Sequence, residues 1–349
     1  MPTWVDKLRS EHDLPEEGYR QLLTTTDETL KEELFTAARE VAVNNFGKKV
    51  FIRGLIEVSN FCKNNCLYCG IRRGNREVPR YRLSKDDILA SCAEGYRVGI
   101  RTFVMQGGED PRQTTPWLVD VIAEMRRLYP DCAITLSLGE KTEDEYRLLY
   151  EAGANRYLLR HETFDEEHYA GLHPADMSGA YRKECLAMLK RIGFQTGTGV
   201  MVGSPGQTIE HLIKDLQFIR RLSPQMVGIG PFLPHHATPF ANEAKGSADT
   251  TLRMLAICRL MLPQGLIPST TALATLGGPE GRLQGILCGA NVVMPNLSPP
   301  KHRTSYELYD NKAHSHSESA EGLRLLNEQL KTIGYAISLE RGDHPNFAR

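Results

Sequence analysis

The chain has 349 residues, of which 41% are hydrophobic and 24% are charged, and its formal net charge is −1. This composition is typical of a globular protein, and so small a net charge argues against a general nucleic-acid binder. No apolar run reaches the ~18 residues that a membrane helix needs, and the N-terminus has no signal-peptide core, so we expect a cytoplasmic protein without a membrane partner.

The first 48 residues have the periodicity and composition of helices, and they predict an N-terminal helical segment over residues 1–48. From there to residue 300, short apolar runs alternate with amphipathic helices, two of which begin at capping sequences at Ser84 and Thr142. The apolar runs span residues 50–58, 102–107, 133–139, 156–162, 196–203, 226–232, 267–273 and 291–296. Eight such units predict an α/β protein with a (β/α)8 TIM-type barrel over residues 49–300, which an open doubly wound sheet matches less well. Residues 301–349 are predicted to form a short C-terminal helical extension that closes the barrel.

Function in such a barrel gathers at the carboxyl ends of the strands, and three of the eight cysteines follow the first predicted strand. The segment SNFCKNNCLYCG places Cys62, Cys66 and Cys69 in a Cys-x3-Cys-x2-Cys pattern. Three thiolates from one loop suit three corners of a [4Fe-4S] cluster and leave the fourth iron open to a small molecule. Zinc is the alternative, with His161 or His173 as the fourth ligand, but the loop position favours the cluster. Four further cysteines lie in apolar stretches and are predicted to be core residues, namely Cys92, Cys132, Cys185 and Cys258.

This cysteine pattern, with Tyr68 before the last cysteine, resembles the signature of the radical S-adenosylmethionine (SAM) superfamily. The resemblance implies that the open iron binds SAM and that an electron from the cluster cleaves SAM to a 5′-deoxyadenosyl radical. It also implies that Tyr68 lies near the adenine, although a loop aromatic that merely packs is an equally good explanation. After the second strand, Gly107-Gly108-Glu109 resembles the element that binds the SAM amino group through backbone carbonyls, where the sequence alone indicates only a turn.

The fourth predicted strand ends in Arg160-His161-Glu162, and such charges are costly to bury unless they are paired or used. They form either a rim of salt bridges or part of a ligand-binding site. In the second case the resemblance implies that Glu162 contacts SAM and that Arg160 contacts a substrate anion. Arg182, at the start of the next helix, resembles the arginine that meets the SAM carboxylate in the biotin-synthase-like branch. A guanidinium fork suits a carboxylate in this way.

The remaining predicted site residues belong to the third, fifth and seventh strands. Thr135 and Ser137 in strand three, and Thr270 and Thr271 in strand seven, bring hydroxyls into an interior that usually holds branched apolar side chains. They either line a polar cavity for an anionic ligand or are ordinary strand residues. On the basis of the resemblance, we assign Ser137 and Met201 to SAM binding. The substrate is assigned to the following residues: Arg160, Thr135, Thr270 and Thr271.

The resemblance extends across most of the predicted barrel. Its blocks are SLGE (137–140), EAGANRYLLRHET (151–163), MVGSPGQT (201–208), MVGIGPFLPHHATPFANE (226–243), STTA (269–272) and CGANVVMPN (288–296). Together they are similar to the FeFe-hydrogenase maturases. The likeness implies that the adenosyl radical acts on a sulfur-containing substrate, a cysteine-bound iron carbonyl–cyanide precursor of the diiron subcluster. It also implies transient contact with other hydrogenase maturases. An amino-acid mutase of the methylornithine synthase type is the nearest alternative, and a non-catalytic cluster carrier is another.

The C-terminal region departs from the pattern of those maturases that carry further cysteines there. This chain has no cysteine after Cys288, so we expect one [4Fe-4S] cluster and no second. His314 and His316 are predicted to be solvated loop residues rather than metal ligands. Tyr306 and Tyr309 resemble tyrosines that close the bottom of the family's cavity, or they pack on a helix face.

Overall fold

The computed structural model of the protein describes residues 3–312 and 319–347, so His314 and His316 lie outside the described residues. Its strands are β1 (Lys49–Ile52), β2 (Gly54–Ser59), β3 (Thr102–Gly107), β4 (Ala133–Ser137), β5 (Arg156–Leu158), β6 (Gln195–Val202), β7 (Met226–Pro231), β8 (Val292–Val293) and β9 (Ala336–Ser338). Its helices are α1 (Trp4–Glu11), α2 (Glu16–Thr24), α3 (Glu28–Phe46), α4 (Lys85–Arg97), α5 (Thr115–Leu128), α6 (Glu143–Glu151), α7 (Glu166–Leu172), α8 (Gly179–Ile192), α9 (Ile209–Leu222), α10 (Ala248–Met261), α11 (Thr271–Leu287), α12 (Pro300–Arg303) and α13 (Ser319–Thr332). Among these helices, none combines the length and apolar character needed to cross a bilayer.

The strands β2 to β7 form one sheet in sequence order, and all of its pairings are parallel. Each step from one strand to the next passes through at least one helix. The predicted α/β class with parallel strands is therefore confirmed. Because the strands run in the same direction, their carboxyl ends meet at one edge, and the loops that follow them are brought together there.

A second sheet has the order β8-β1-β9, again with parallel pairing. Backbone hydrogen bonds connect it to both ends of the first sheet. On one side, Val227 at the start of β7 donates to the Leu266 carbonyl (3.2 Å), and Ser269 donates to Val292 in β8 (3.0 Å). On the other side, Leu55 in β2 donates to the Pro295 carbonyl at 2.8 Å. Isolated parallel bridges accompany these bonds, between Met226 and Leu266, Pro268 and Val292, and Leu55 and Asn296.

Several predicted strands are shorter than the apolar pattern suggested, such as the run 291–296, of which only Val292–Val293 is a strand, and in two of them the chain changes its pairing. The run 50–58 divides at Arg53, since β1 pairs with β8 and β9 whereas β2 pairs with β3. The run 156–162 ends as a strand at Leu158, which pairs with Gly197 in β6. The next bridge joins Glu162 to Val200, so four steps along the chain face three steps along β6. An extra residue of this kind is a β-bulge, which bends a strand and re-aims its side chains.

The placement of Thr270 and Thr271 on a seventh strand was wrong. Thr270 is the N-cap of α11, where its hydroxyl accepts the Leu273 N–H, and Thr271 is the first residue of that helix. Strand pairing in this region is limited to single bridges at Leu266 and Pro268. Proline has no N–H to donate to a ladder, and a threonine hydroxyl competes well at a helix start, so the helix begins early.

Helices occupy the N-terminal segment and alternate with the strands, whereas the predicted helical extension also contributes strand β9 to the second sheet. Ser84 and Thr142 both form complete capping boxes, at the starts of α4 and α6. The N-terminal helices α1, α2 and α3 pack on α10, which is buried from Thr251 to its last residue, Met261. The four cysteines predicted to be core residues are all fully buried, at Cys92, Cys132, Cys185 and Cys258.

The C-terminal residues contact the end of the sheet opposite to the strand carboxyl ends. The Asp343 carboxylate accepts from Arg156 (2.8 Å) and from Gln195 (2.6 Å), which are the first residues of β5 and β6. The hydroxyl of Thr102, the first residue of β3, donates to the Arg341 carbonyl at 2.8 Å. Earlier in the chain, residues 298–312 lie near the carboxyl end of β2, where Lys312 pairs with the buried Glu57.

Candidate active site

The loop after β2 carries the three cysteines, and it is shaped by one arginine. The Arg80 guanidinium donates to the carbonyls of Ile71 (2.8 Å), Arg72 (2.6 Å) and Asn75 (2.8 Å), and also to that of Asn60. Four carbonyls gathered by one side chain fold the loop back on itself, so that its three cysteines become half-buried. Sequence reasoning missed Arg80, because nothing in its local pattern distinguishes it from the other arginines nearby.

The loop after β3 packs directly on the cysteine loop. The Gly108 N–H donates to the Ser59 carbonyl at 3.1 Å, and a Cβ at Gly108 would lie only 2.2 Å from the Phe61 carbonyl oxygen. The Lys63 N–H donates to the Glu109 carbonyl at 2.9 Å, and the Lys63 ammonium lies 3.1 Å from the Glu109 carboxylate. This close approach explains why glycine occupies position 108, and it brings the predicted Gly107-Gly108-Glu109 element against the cysteines.

A second missed residue, Asp110, fixes the same junction. Its carboxylate accepts from Arg82 at 2.6 and 2.9 Å and from the Ser59 hydroxyl at 2.6 Å. The Arg82 guanidinium also stacks 3.5 Å from the centre of the Phe61 ring. Although burial opposes it, these hydrogen bonds lower the pKa of Asp110. A charged clamp therefore locks the two loops together.

The surroundings of the three thiols favour the neutral form in the absence of a cation. Burial raises the pKa of the Cys69 thiol to about 12 and holds that of the Cys66 thiol well above its usual value. Burial also raises the pKa of Cys62, while backbone N–H groups of Asn64 and Glu109 donate to it and act in the opposite direction. Three thiolates here need a positive partner, and a metal cluster is such a partner.

Zinc is the alternative to a cluster at the three thiols, and a structural zinc site usually takes four protein ligands. The two histidines considered as a fourth zinc ligand have other partners. His161 Nδ1 lies 2.8 Å from the Thr198 hydroxyl, and His173 Nε2 lies 3.2 Å from the Tyr68 hydroxyl.

Tyr68 and Met201 belong to one apolar cluster beside the cysteine loop. The Tyr68 ring packs against a buried group formed by Leu172, Met201 and Phe232. Its hydroxyl bonds to His173, whose pKa is lowered to about 3 by burial. The charges of Glu162, Cys66 and Arg182 all act on the Tyr68 hydroxyl, so the structure brings these four predicted residues together.

Arg182 lies on the first turn of α8 and faces the end of β4. Its guanidinium is 2.6 Å from the Glu140 carboxylate, and it also donates to the Arg160 carbonyl at 3.3 Å. Burial lowers the pKa of Arg182, but the neighbouring Tyr169 and Glu140 more than offset this effect. The sequence predicted Arg182 as a site residue. It did not predict Glu140, the carboxylate that forms an ion pair with Arg182.

The bulge after β5 places Arg160 beside Glu162, with 3.1 Å between guanidinium and carboxylate. Glu162 has a φ of 65°, which residues other than glycine rarely adopt. On β4, Thr135 and Ser137 lie two residues apart and therefore face the same side of the sheet. The Thr135 hydroxyl is buried and has no hydrogen-bond partner among the described residues. A buried hydroxyl of this kind is available to a polar ligand or to an ordered water.

A sequence model of the Radical SAM superfamily matches residues 56–219, which contain the cysteine loop, the Gly107-Gly108-Glu109 element and Arg182. The protein is a radical SAM enzyme, and this superfamily implies a [4Fe-4S] cluster and SAM. The FeFe-hydrogenase maturase subunit HydE of Thermotoga maritima is 44% identical over 296 residues, which cover 85% of this chain and 84% of that protein. The chain belongs to the HydE family.

More distant similarity connects the chain to another enzyme. The 3-methylornithine synthase of Methanosarcina acetivorans is 31% identical over 310 residues, covering 87% of this chain and 86% of that protein. The crystal structure of methylornithine synthase (PylB) superposes with a TM-score of 0.84 at 27% identity, and covers 96% of this chain and 97% of that one. The fold is therefore shared beyond the HydE family.

Proposed function

We propose that the protein acts in FeFe-hydrogenase maturation, as a radical SAM enzyme that modifies a sulfur-containing precursor of the active-site diiron subcluster. The observation that carries this proposal is the 44% identity with HydE across 85% of the chain. It is supported by the cysteine loop and the loop after β3, which meet at the carboxyl ends of the strands. When bound, the cluster and SAM supply a one-electron cleavage that yields the 5′-deoxyadenosyl radical.

The cluster ligands in this proposal are Cys62, Cys66 and Cys69. Their buried thiols fit the group, since burial without a positive partner opposes ionisation of all three. The N–H groups of Asn64 and Glu109 add hydrogen bonds to the Cys62 sulfur, a contact that tunes clusters of this kind. We expect a single cluster, because the other five cysteines are buried in the protein core.

The SAM site is assigned to the groups around that loop. The backbone of Gly107 and Gly108, with Glu109, receives the amino group. Ser137 and Arg182 receive the carboxylate, with Arg182 kept cationic by its acidic neighbours. Tyr68 and Met201 form the apolar surface for the adenine, and Glu162 is a further SAM contact. Apart from Arg182 on α8, these residues lie at the carboxyl ends of the five strands β2 to β6, as is usual in barrel enzymes.

The substrate is assigned to the interior beyond SAM, near Arg160, Thr135, Thr270 and Thr271. An anionic organometallic precursor suits a guanidinium with several hydroxyl donors. The unsatisfied Thr135 hydroxyl supports this assignment. Thr270 and Thr271 lie at the N-terminus of α11, where free N–H groups favour an anion. Their position on a helix is therefore compatible with anion binding. Other hydrogenase maturases supply the substrate and receive the product through transient contacts.

We also infer a closed (β/α)8 barrel over residues 49–300, with the helical segment 1–48 packed outside it. The hydrogen bonds from β7 through Leu266, Ser269 and Val292 to β2 support closure. Residues 301–349 form the extension, part of which caps the amino ends of the strands through Asp343. A cytoplasmic location without membrane or nucleic-acid partners remains a prediction from the sequence.

A mutase of the methylornithine synthase type is the second candidate, because that fold superposes over nearly the whole chain. One experiment separates the two. The anaerobically reconstituted protein is incubated with SAM, a strong reductant and L-lysine, and both 5′-deoxyadenosine and methylornithine are measured by mass spectrometry. We expect 5′-deoxyadenosine without methylornithine. Methylornithine formed in proportion to 5′-deoxyadenosine would replace the maturase with the mutase, and a lack of SAM cleavage would contradict both.

A further inference from the structure

The turn that carries Arg160 and Glu162 has an unusual backbone. Glu162 has a φ of 65°, and the Thr163 N–H donates to the His161 carbonyl at 2.8 Å across it. A three-residue turn of this hand is rare and strained. Such a conformation persists only where the surrounding structure holds it, and it is concentrated at functional sites. Within the sheet, the Glu162 N–H donates to the Gly199 carbonyl at 3.1 Å, and Glu162 forms a parallel bridge with Val200.

A buried carboxylate on α9 holds both flanks of this turn from behind. Asp215 Oδ1 accepts the Phe164 N–H at 2.6 Å and lies 3.4 Å from His161 Nε2. The other ring nitrogen of His161 lies 2.8 Å from the Thr198 hydroxyl on β6. The side chains of His161 and Asp215 are completely buried. The second residue after Glu162 is therefore hydrogen-bonded to Asp215, and the ring of the residue before it lies against the same carboxylate.

The choice of a carboxylate at this position calls for a reason. Burying a charged side chain is costly unless its bonds are used, and an apolar residue would pack α9 on the sheet at lower cost. The second oxygen of Asp215 makes no hydrogen bond in the described part of the chain. The hydrogen bonding of this carboxylate is thus directed through Oδ1 at the turn, in which Arg160 and Glu162 pair with each other.

We propose that Asp215 is a positioning residue, which fixes the strained turn and so sets where Glu162 meets SAM and where Arg160 meets the substrate anion. This inference rests on the proposed SAM site. A positioning role differs from a packing role in its consequence. Loss of Asp215 then displaces the turn with Arg160 and Glu162, which forms one wall of the SAM site, and leaves the cysteine loop in place.

The test measures SAM-dependent formation of 5′-deoxyadenosine by the reconstituted holoenzyme, with separate kcat and KM, beside the melting temperature. Asp215→Ala leaves the Phe164 N–H without its acceptor and removes the carboxylate that lies beside His161 Nε2, and we expect the KM for SAM to rise about tenfold at unchanged iron content. Asp215→Asn keeps an oxygen for the Phe164 N–H and is expected to stay within about threefold of the wild type. Leu216→Ala is the matched control, because this neighbour on α9 is equally buried and belongs to the core.

The control is expected to lower the melting temperature without changing the KM for SAM. An unchanged KM in Asp215→Ala, or an equal rise in Leu216→Ala, would overturn the proposal. Should Asp215→Ala not fold, Thr198→Val decides, since it removes only the hydroxyl that orients His161. That variant is expected to raise the KM about threefold, and an unchanged KM would overturn the proposal. A wild-type protein that does not cleave SAM would instead refute the proposed function, before any variant is compared.

Discussion

The contact between Gly108 and the cysteine loop leads to a sharp prediction for Gly108→Ala. A Cβ at this position would lie 2.2 Å from the Phe61 carbonyl oxygen and 2.7 Å from the Cys62 Cβ. Real Cβ contacts stay above 3.0 Å, and the nearest atom belongs to the backbone, which cannot swing aside as a flexible side chain can. The loop that carries Cys62 must therefore retreat by about 0.8 Å, the shortfall between 2.2 and 3.0 Å.

The expected cost of this substitution has two parts. Overpacking of a close contact lowers the free energy of unfolding by about 1–3 kcal/mol. A displacement approaching 1 Å in a preorganised site lowers catalysis by about 100-fold. We expect Gly108→Ala to fold, to bind less iron on anaerobic reconstitution, and to form 5′-deoxyadenosine about 100-fold more slowly than the wild type.

The matched control is Gly171→Ala. Gly171 lies in α7, and no atom lies within 4 Å of the Cβ that alanine would add. We expect it to keep full iron content and SAM cleavage, with stability unchanged or raised by up to about 1 kcal/mol. The assay is iron per chain, with the initial rate of 5′-deoxyadenosine formation and a urea unfolding curve. Gly108→Ala with the iron content and rate of its control would refute the contact argument.

Three further predictions concern the same site. Alanine at any of the three loop cysteines should abolish SAM cleavage because the cluster loses a ligand, whereas Cys92→Ala, in the core, should only lower stability. Iron content and 5′-deoxyadenosine formation measure the difference. An equal loss of SAM cleavage in Cys92→Ala would contradict the assignment of the ligands. Arg80→Met should leave four carbonyls of the loop without their donor and reduce iron content strongly while the helical circular dichroism is retained; wild-type iron content would show that the loop holds its shape without Arg80. His173 has a folded-state pKa of about 3 because of burial, so the unfolded chain takes up its proton first as the pH falls, and the stability that it contributes above pH 6.5 is lost progressively toward pH 3. His173→Gln should therefore lose about 2 kcal/mol less stability than the wild type between pH 7 and pH 5 in urea titrations, and identical losses would show that His173 does not control the acid response.

Much of the fold was predictable because it is encoded locally. The apolar runs and the caps at Ser84 and Thr142 depend on residues a few positions apart, and both appear in the structure. The cysteine spacing likewise lies within eight residues of sequence. These features need no knowledge of distant contacts, so periodicity and spacing were sufficient to predict the parallel α/β class and the loop on which the site depends.

The misplaced features are those decided by competition between local signals. The segment around Thr270 is apolar and rich in β-branched residues, which favours a strand. Its Pro268 and its two threonines also favour a helix start, and the helix begins at Thr271. In the same way, the apolar residues 156–162 conceal a bulge, because an added residue in one strand is defined only by its pairing with β6.

The missed residues act over long sequence distances. Arg80 reaches back to Asn60, Asp110 joins Arg82 across 28 positions, and Asp215 meets Phe164 across 51. An isolated arginine or aspartate on a helix or loop has no local pattern that indicates such a partner. The charged side chains of Arg80, Asp110 and Asp215 reach the site only through the fold. There they hold in place the loops that carry the motifs predicted from the sequence.

The central claim is that the protein is a radical-dependent hydrogenase maturase. The most direct test is activation of an apo-FeFe-hydrogenase in a cell-free maturation extract that lacks only the HydE component, with hydrogen evolution as the readout. We expect the wild-type protein to restore activity and Cys62→Ala to restore none. Wild-type protein that cleaves SAM yet leaves the hydrogenase inactive would contradict the maturase assignment, and activation by Cys62→Ala would contradict the radical mechanism.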